Sequence, residues 1–310
     1  MIFTTAILEG RMAGRTFSHR RRVIIDTDAK NEADDQFAIV HALLSPSFDV
    51  RGLIPAHFGN RRTRHSLEES RAEIELLLRL MKLDGQVRVA DGAPYALPDA
   101  RTPVPSPGAE LIVEEAMRDV AEPLYVAFLG PLTDMASALL MEPRIAERDL
   151  TVVWIGGGGY DGRGPQDGRP EFNLSNDIAA ANVVFSSALR VWQVPAPTYR
   201  MTAVSYAELD AKVAPYGEIG DYLVRQLVEW NEREHGGSIE FRVLGDSPAV
   251  GLMLHPDCGT WVERPAPAFR YDGGHDFSAA NRPIRTYDSI DARFIHEDFF
   301  AKIRAFAETR

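Results

Sequence analysis

Residues 22–44 read RVIIDTDAKNEADDQFAIVHALL. An apolar run, Val23-Ile24-Ile25, leads into five acidic residues within ten positions: Asp26, Asp28, Glu32, Asp34 and Asp35. A helical spacing of apolar residues follows at Phe37, Ile39, Val40, Leu43 and Leu44. The first run reads as a buried strand and the last as a helix. Carboxylates crowded where a buried strand ends repel one another, and more strongly as water is excluded. Either they are spread in solvent, or a positive group holds them together.

Working outward, the chain alternates strand-like and helix-like segments. Strands are expected at 22–26, 48–57, 86–91, 124–130, 150–157 and 190–195. Helices are expected at 33–45, 66–83, 109–120, 132–141, 177–188 and 217–235. This alternation predicts parallel strands joined by crossover helices, an α/β doubly wound, mostly parallel sheet with helices on both faces. Ligands of such sheets bind beyond the carboxyl ends of the strands, where Asp26 and Asp28 lie. The segment 93–109, APYALPDARTPVPSPGA, carries five prolines and reads as a long loop, an insertion or surface arm. Residues 1–21 read as a flexible basic arm and 22–310 as a single domain.

Composition narrows the function. The 310-residue chain is 45% apolar and carries a formal net charge of -11, which disfavours nucleic acid or an acidic membrane as partner. Its one cysteine, Cys258, excludes an intrachain disulfide and fits a reducing cytoplasm. No run of about 18 apolar residues predicts a transmembrane helix.

Three readings of the acidic loop compete. Asp34 and Asp35 fit a helix N-terminus, whose dipole and free N–H groups favour negative charge. An aspartyl nucleophile of the haloacid-dehalogenase type needs Asp-x-Asp-x-Thr or Val, and Lys30 breaks that pattern. A hard divalent cation such as calcium takes six to eight oxygens and accounts for several acids together. More distant segments offer further groups: Asn60 after the second strand, Leu129 at a strand end, Glu171 and Asn173 before a helix, and Asp246 in a Gly-Asp-Ser-Pro turn. The GGGG run at 156–159 lacks the spacing and the Lys-Ser/Thr of a phosphate-binding P-loop. It reads as backbone passing close to a substrate.

In this order, these segments resemble the nucleoside hydrolase family of the inosine-uridine preferring type. The family's Asp-x-Asp-Pro-Gly-x-Asp-Asp corresponds to DTDAKNEADD, two residues longer and without Pro-Gly. Its Gly-Asn corresponds to Gly59-Asn60, its Gly-Pro-Leu-Thr-Asn to GPLTD, and its strand ending in Gly-Gly to VVWIGGG. Its Glu-Phe-Asn corresponds to EFN, and its Asp-Pro-x-Ala-Val to DSPAV with a one-residue shift. The resemblance runs from about residue 22 to about residue 255.

It implies calcium held by Asp28, Asp35, Asp246 and the Leu129 carbonyl, with Asp28 also accepting a proton from the attacking water. It implies Asp34, Asn60 and Asn173 on ribose hydroxyls and Glu171 on the 5′-hydroxyl. The activity implied is calcium-dependent hydrolysis of the N-glycosidic bond of ribonucleosides or related ribosides, by a cytoplasmic homodimer or homotetramer. The rival is a noncatalytic, calcium-stabilised riboside- or sugar-binding protein on the same fold. Many relatives place a histidine immediately before the last calcium aspartate to protonate the departing base; here that position is Gly245. His57, expected in the pocket, is one candidate for that work, with His235 and Tyr160 as others. Lys30 and Glu32, in the longer acidic loop, are expected to reshape the pocket wall.

Overall fold

The computed structural model describes residues 20–160, 170–279 and 281–309. Five strands follow the predicted alternation: β1 (Arg21–Thr27), β2 (Phe48–Pro55), β3 (Leu124–Phe128), β4 (Leu150–Ile155) and β5 (Arg190–Val194). Two short strands, β6 (Ala203–Ser205) and β7 (Phe241–Val243), pair with each other. The carboxyl-terminal part adds β8 (Trp261–Pro265), β9 (Ala268–Phe269), β10 (His275–Asp276) and β11 (Pro283–Tyr287). The main sheet runs β2-β1-β3-β4-β5-β11-β8 and is parallel except where β8 lies antiparallel on β11. This is the α/β, mostly parallel architecture expected from the sequence.

β1 explains why the sheet forms around it. Val23 and Ile25 point into the core on one face, with Phe37 and Leu77, while Ile24 points into the core on the other, with Val126 and Met135. Side chains alternate faces along a strand, so a continuous apolar run is buried only with helices on both sides. All three are fully buried, each worth roughly 1.5–3 kcal/mol. β4 repeats the pattern, with Val153 and Ile155 on one face and Val152 and Trp154 on the other. The chain passes from β1 to β2 on one side, then returns to β3 on the other. The strand order therefore reverses beside β1, and the crevice at its carboxyl end is where such sheets bind ligands.

Two sequence expectations are corrected. Residues 86–91 form no strand beyond an isolated parallel bridge of Val89 to Leu53. Leu53 N–H donates to Arg88 O, Ala90 N–H to Leu53 O, and Gly92 N–H to Pro55 O. The rung between them would need an N–H from residue 55, and proline has none. The proline-rich segment is not a surface arm either. Leu97 N–H donates to Asp177 Oδ2 (2.8 Å) and Val104 N–H to Ser137 Oγ (3.1 Å), and both side chains are buried. Ser106 closes it by capping the helix Pro107–Ala116. The arm expected at 1–21 falls, up to residue 19, outside the described residues; Arg21 already pairs with Phe48 in β1.

The glycine run after β4 has a packing cause. A Cβ on Gly156 would lie 2.3 Å from the Trp154 indole, and Gly157 takes a φ of +82°. Gly158 has open space around it. Gly156→Ala is therefore expected to lower stability by about 1–3 kcal/mol in urea unfolding, the usual cost of overpacking. Gly158→Ala should lie within about 0.5 kcal/mol of wild type.

Candidate active site

The acidic loop folds back on the end of β1. Asn31 N–H donates to Asp28 O (2.8 Å), closing a turn that places Asp34 and Asp35 at the start of the helix Asp35–Leu43. Thr27 Oγ1 donates to Asp35 Oδ1 (2.5 Å), and Gly245 N–H donates to Asp34 Oδ2 (2.8 Å). Asp246 joins them from the start of the helix Ser247–Leu254. Asp34, Asp35 and Asp246 each offer an oxygen, all within 4.8 Å of one another. Asp28 lines the same pocket and is buried, with Oδ2 lacking any hydrogen-bond partner. Gly130 must stay small here, since a Cβ would approach the Asp28 carboxyl carbon to 3.0 Å.

The electrostatics follow from this crowding. Burial, then the charge of Asp34, raises the Asp35 carboxyl to about 8. Burial raises Asp34 to about 6 against the opposing pull of Arg242. Asp28 and Asp246 are both pushed well above the ordinary carboxylate range, first by burial and then by Asp35. Four buried carboxylates with one neighbouring guanidinium, itself paired with Glu32, are short of positive charge. A divalent cation with oxygen ligands supplies it, so the residues present fit a metal.

The rest of the pocket comes from three further strand ends. Leu129 lies just past β3, and its carbonyl accepts a hydrogen bond from Asn173 Nδ2 (2.6 Å). A carbonyl has a second lone pair, so this leaves one for a cation. Asn173 Nδ2 also donates to Ile155 O (2.8 Å), which ties the helix Phe172–Asn176 to the ends of β3 and β4. Glu171 caps that helix. Its carboxylate accepts from the N–H groups of Gly157, Asn173 and Leu174 and from the Tyr199 hydroxyl. Burial pushes the Glu171 carboxyl above its ordinary value, and these bonds oppose the push.

Of the residues singled out by sequence, Asp28, Asp34, Asp35, Leu129, Glu171, Asn173 and Asp246 line one pocket. Asn60 and His57 do not line it. Asn60 is exposed on the loop after β2. His57 is buried, its Nε2 2.9 Å from Thr133 Oγ1, while Gly59 N–H donates to its Nδ1. The Thr133 hydroxyl proton is already given to Asp177 Oδ2, so His57 is the Nε2–H donor and its Nδ1 the acceptor. Both ring nitrogens are occupied away from the cleft, and burial lowers the imidazole to about 4.

Lys30 turns away to Glu73 (2.8 Å), so of the two residues expected to reshape the pocket wall only Glu32 does so. Asp26 does not line the pocket; it is buried beside Asp134 and Asp28. Tyr160 bonds Gln193 Oε1 (2.6 Å) rather than lining the pocket.

Sequence reasoning missed Tyr199, which follows β5, and Phe172, which sits between two residues already chosen. Strand-end position was the available signal for Tyr199. It also missed an outer chamber of about 580 Å³ that shares Glu32, Asp34, Glu171, Phe172, Tyr199 and Gly245 with the acidic pocket. His235 lines this chamber.

Comparison with known proteins agrees with the site. The profile described as "Inosine-uridine preferring nucleoside hydrolase" matches residues 23–280. The chain is 30% identical over 264 residues to "Probable uridine nucleosidase 2" of Arabidopsis thaliana, covering 79% of this chain and 80% of that one. It is 26% identical over 261 residues to "Pyrimidine-specific ribonucleoside hydrolase RihA" of Salmonella agona, covering 78% and 82% respectively. Among solved structures it superposes on a purine-preferring ribonucleoside hydrolase from Gardnerella vaginalis with a TM-score of 0.76 at 18% identity, covering 94% of this chain and 100% of that one. The chain belongs to the inosine-uridine preferring nucleoside hydrolase family. It is thus a hydrolase of N-glycosidic bonds, in a metal-dependent family whose metal the acidic cluster suits. Among the described residues no helix is long and apolar enough to cross a membrane.

The tautomer and burial of His57 carry a pH consequence. An imidazole held to about 4 in the folded chain, against an ordinary value of 6.5, stays neutral there while the unfolded chain takes up a proton. Its contribution is fully present above pH 6.5 and is lost as pH falls toward 4. Against His57→Gln, which does not titrate, wild type should lose about 2 kcal/mol of relative stability between pH 7 and pH 5. Urea unfolding of both proteins at the two pH values checks this; a pH-independent difference would show that His57 takes up its proton equally in the folded and unfolded chains.

Proposed function

We propose that the chain catalyses calcium-dependent hydrolysis of the N-glycosidic bond of ribonucleosides, giving ribose and free base. The observation that carries this reading is the buried group of Asp28, Asp34, Asp35 and Asp246 at the carboxyl end of the central strand. Asp28, Asp35, Asp246 and the Leu129 carbonyl would hold calcium. When bound, calcium supplies positive charge that orients the ribose hydroxyls and acidifies the attacking water. Asp28 takes the proton of that water as its oxygen bonds to C1′ and the bond from C1′ to the base nitrogen breaks. The departing base leaves with its electron pair and takes up a proton. Asp34, and Asn173 through its Oδ1, face the ribose hydroxyls. The carboxylates also favour the positive charge that builds on the sugar in the transition state.

Uridine is the first substrate to test, because the relatives at 26–30% identity are named for uridine and pyrimidine ribonucleosides. The sequence expectation of a cytoplasmic homodimer or homotetramer belongs with this reading. The noncatalytic alternative has no observation in its favour, and Asp28, with one carboxylate oxygen free, suits a base.

Metal and charge can be separated experimentally. Calcium at about 100 times its Kd should stabilise wild type by about 2.7 kcal/mol. Asp35→Asn and Asp246→Asn should each lose most of that gain, together with turnover of uridine. Without calcium at pH 7, both variants should lie within about 1 kcal/mol of wild type, because burial and crowding already favour the protonated acid that asparagine replaces. Wild-type unfolding curves that calcium leaves unmoved, with turnover that chelator leaves unmoved, would refute the metal assignment.

Leaving-group dependence tests the base end. Gly245 has no side chain to donate a proton, and His57 is engaged elsewhere. General-acid help is worth about 10²–10⁴-fold. Uridine and inosine should therefore turn over at least about 10²-fold more slowly than p-nitrophenyl riboside, whose leaving group departs without protonation. Equal rates for all three would show that an acid does serve the base.

A further inference from the structure

The outer chamber differs from the acidic pocket in chemical character. Three arginines line it from three separate segments: Arg61 after β2, Arg200 after β5 and Arg242 in β7. Arg61 lies over the Phe172 ring at 5.4 Å and donates to Ser175 Oγ (2.5 Å). Arg242 stacks on Trp230 at 4.0 Å and pairs with Glu32, yet its Nε is buried without a partner. Arg200 is exposed, and its guanidinium makes no hydrogen bond or ion pair among the described residues.

Most of the acceptors in the same walls are already taken. Glu171 receives four hydrogen bonds, which fill the lone-pair positions of a carboxylate. Glu32 is taken by Arg242, and Asp34 Oδ2 by Gly245 N–H. Three carboxylates offset the three arginines in formal charge, yet Glu32 is paired and Glu171 is filled, so the chamber presents spare donors, two guanidinium groups that pair with no carboxylate among the described residues, and few spare acceptors. A neutral hydroxyl seeking an acceptor finds none at Glu171. A group that only accepts, and carries negative charge, matches both features, and arginine is the side chain best shaped to bind phosphate oxygens.

The chamber joins the acidic pocket at Glu32, Asp34, Glu171, Phe172, Tyr199 and Gly245, so the Glu171 end of a bound ribose and the base end at Gly245 both open into it. A ligand with its ribose in the inner pocket therefore reaches the arginines past Glu171. Building on the hydrolase reading, we propose that the preferred substrate is a ribonucleoside 5′-phosphate. Its ribose occupies the acidic pocket, and its phosphate lies in the outer chamber against Arg61 and Arg200. The phosphate stays attached throughout; the bond hydrolysed is still that between C1′ and the base, so the products are ribose 5-phosphate and free base.

The test is steady-state kinetics of the full chain with calcium, comparing uridine with uridine 5′-monophosphate and inosine with inosine 5′-monophosphate. Release of free base is followed by chromatography. The expected kcat/KM is at least about tenfold higher for each phosphate, the size of a charge-assisted contact. Arg200→Gln changes an exposed side chain and should fold as wild type. It and Arg61→Gln should each lower the phosphate-to-nucleoside ratio at least about fivefold, as should 0.5 M salt.

If nucleosides turn over and their 5′-phosphates are slower, this inference falls and the hydrolase reading stands. If neither turns over, the hydrolase reading falls, and thermal shift with the same four compounds decides the chamber. Greater stabilisation by the phosphates, lost in Arg200→Gln, supports the anion site. Equal shifts, or shifts unchanged in that variant, overturn it.

Discussion

Mutual repulsion among the carboxylates of Asp28, Asp34, Asp35 and Asp246 is the constraint around which this molecule is arranged. Two unit charges about 4 Å apart interact with roughly 4 kcal/mol in a partly screened protein environment. Several such pairs would disperse on a flexible loop. Here they are held by elements that cannot yield cheaply. Asp28 rides on a strand buried on both faces, and Asp34 and Asp35 open a helix whose residues are all buried. Asp246 opens another helix, buried from Ser247 to Met253. Hydrogen bonds from Thr27 and from the Gly245 backbone fix the direction of two of the four. Packing of the two cores thus sustains an arrangement that the charges alone oppose, and the pocket is built for a counter-charge.

The rim of the sheet extends this logic. Asn173 gives both amide hydrogens to backbone carbonyls at the ends of β3 and β4. Trp154, buried in the second core, donates through Nε1 to Gly130 O (3.1 Å), on the glycine beside Asp28. Its indole also lies where a Cβ on Gly156 would go. One core side chain therefore sets two loops of the active-site rim. The proline-rich segment holds the opposite layer, with Asp134 and Asp177 accepting its backbone N–H groups. Those two buried aspartates act as fasteners.

Much of this was legible because the deciding signals are local. The unbroken Val23-Ile24-Ile25 run states that both faces of β1 are covered, and the acids after it mark the strand end. Seven of the named positions meet in one pocket because each immediately follows a strand or opens a helix at the same edge of the sheet. Other features depend on partners distant in sequence. Nothing near His57 announces that Thr133, seventy-six residues on, will bind its ring. Nothing near Leu97 announces Asp177. Residues 86–91 carry the alternation of a strand, but whether they extend the sheet is decided by Pro55 on the neighbouring strand. The arginines of the outer chamber lie too far apart in the chain for any local pattern to unite them.

The two halves of the cleft meet at Tyr199, and that residue accounts for the departure at Gly245. A Cβ on Gly245 would sit 3.1 Å from the Tyr199 ring and 3.1 Å from Asp34 Oδ2. A larger side chain at 245 and the tyrosine ring therefore compete for one volume. With glycine there, the backbone comes close enough for its N–H to bind Asp34, and the phenol reaches Glu171 (3.1 Å). Burial and the Glu171 charge push the phenol well above its ordinary range, so it stays a neutral donor. On the inner side of this neck stand carboxylates that need a cation. On the outer side stand three guanidinium groups, and of the three carboxylates that also line it Glu32 reaches across to Arg242. The cleft thus passes from an inner pocket lined by carboxylates and no basic side chain to an outer chamber where guanidinium groups match the carboxylates in number, and a bound molecule spanning it would be hydroxyl-rich where the metal would sit and rich in acceptors where the arginines stand.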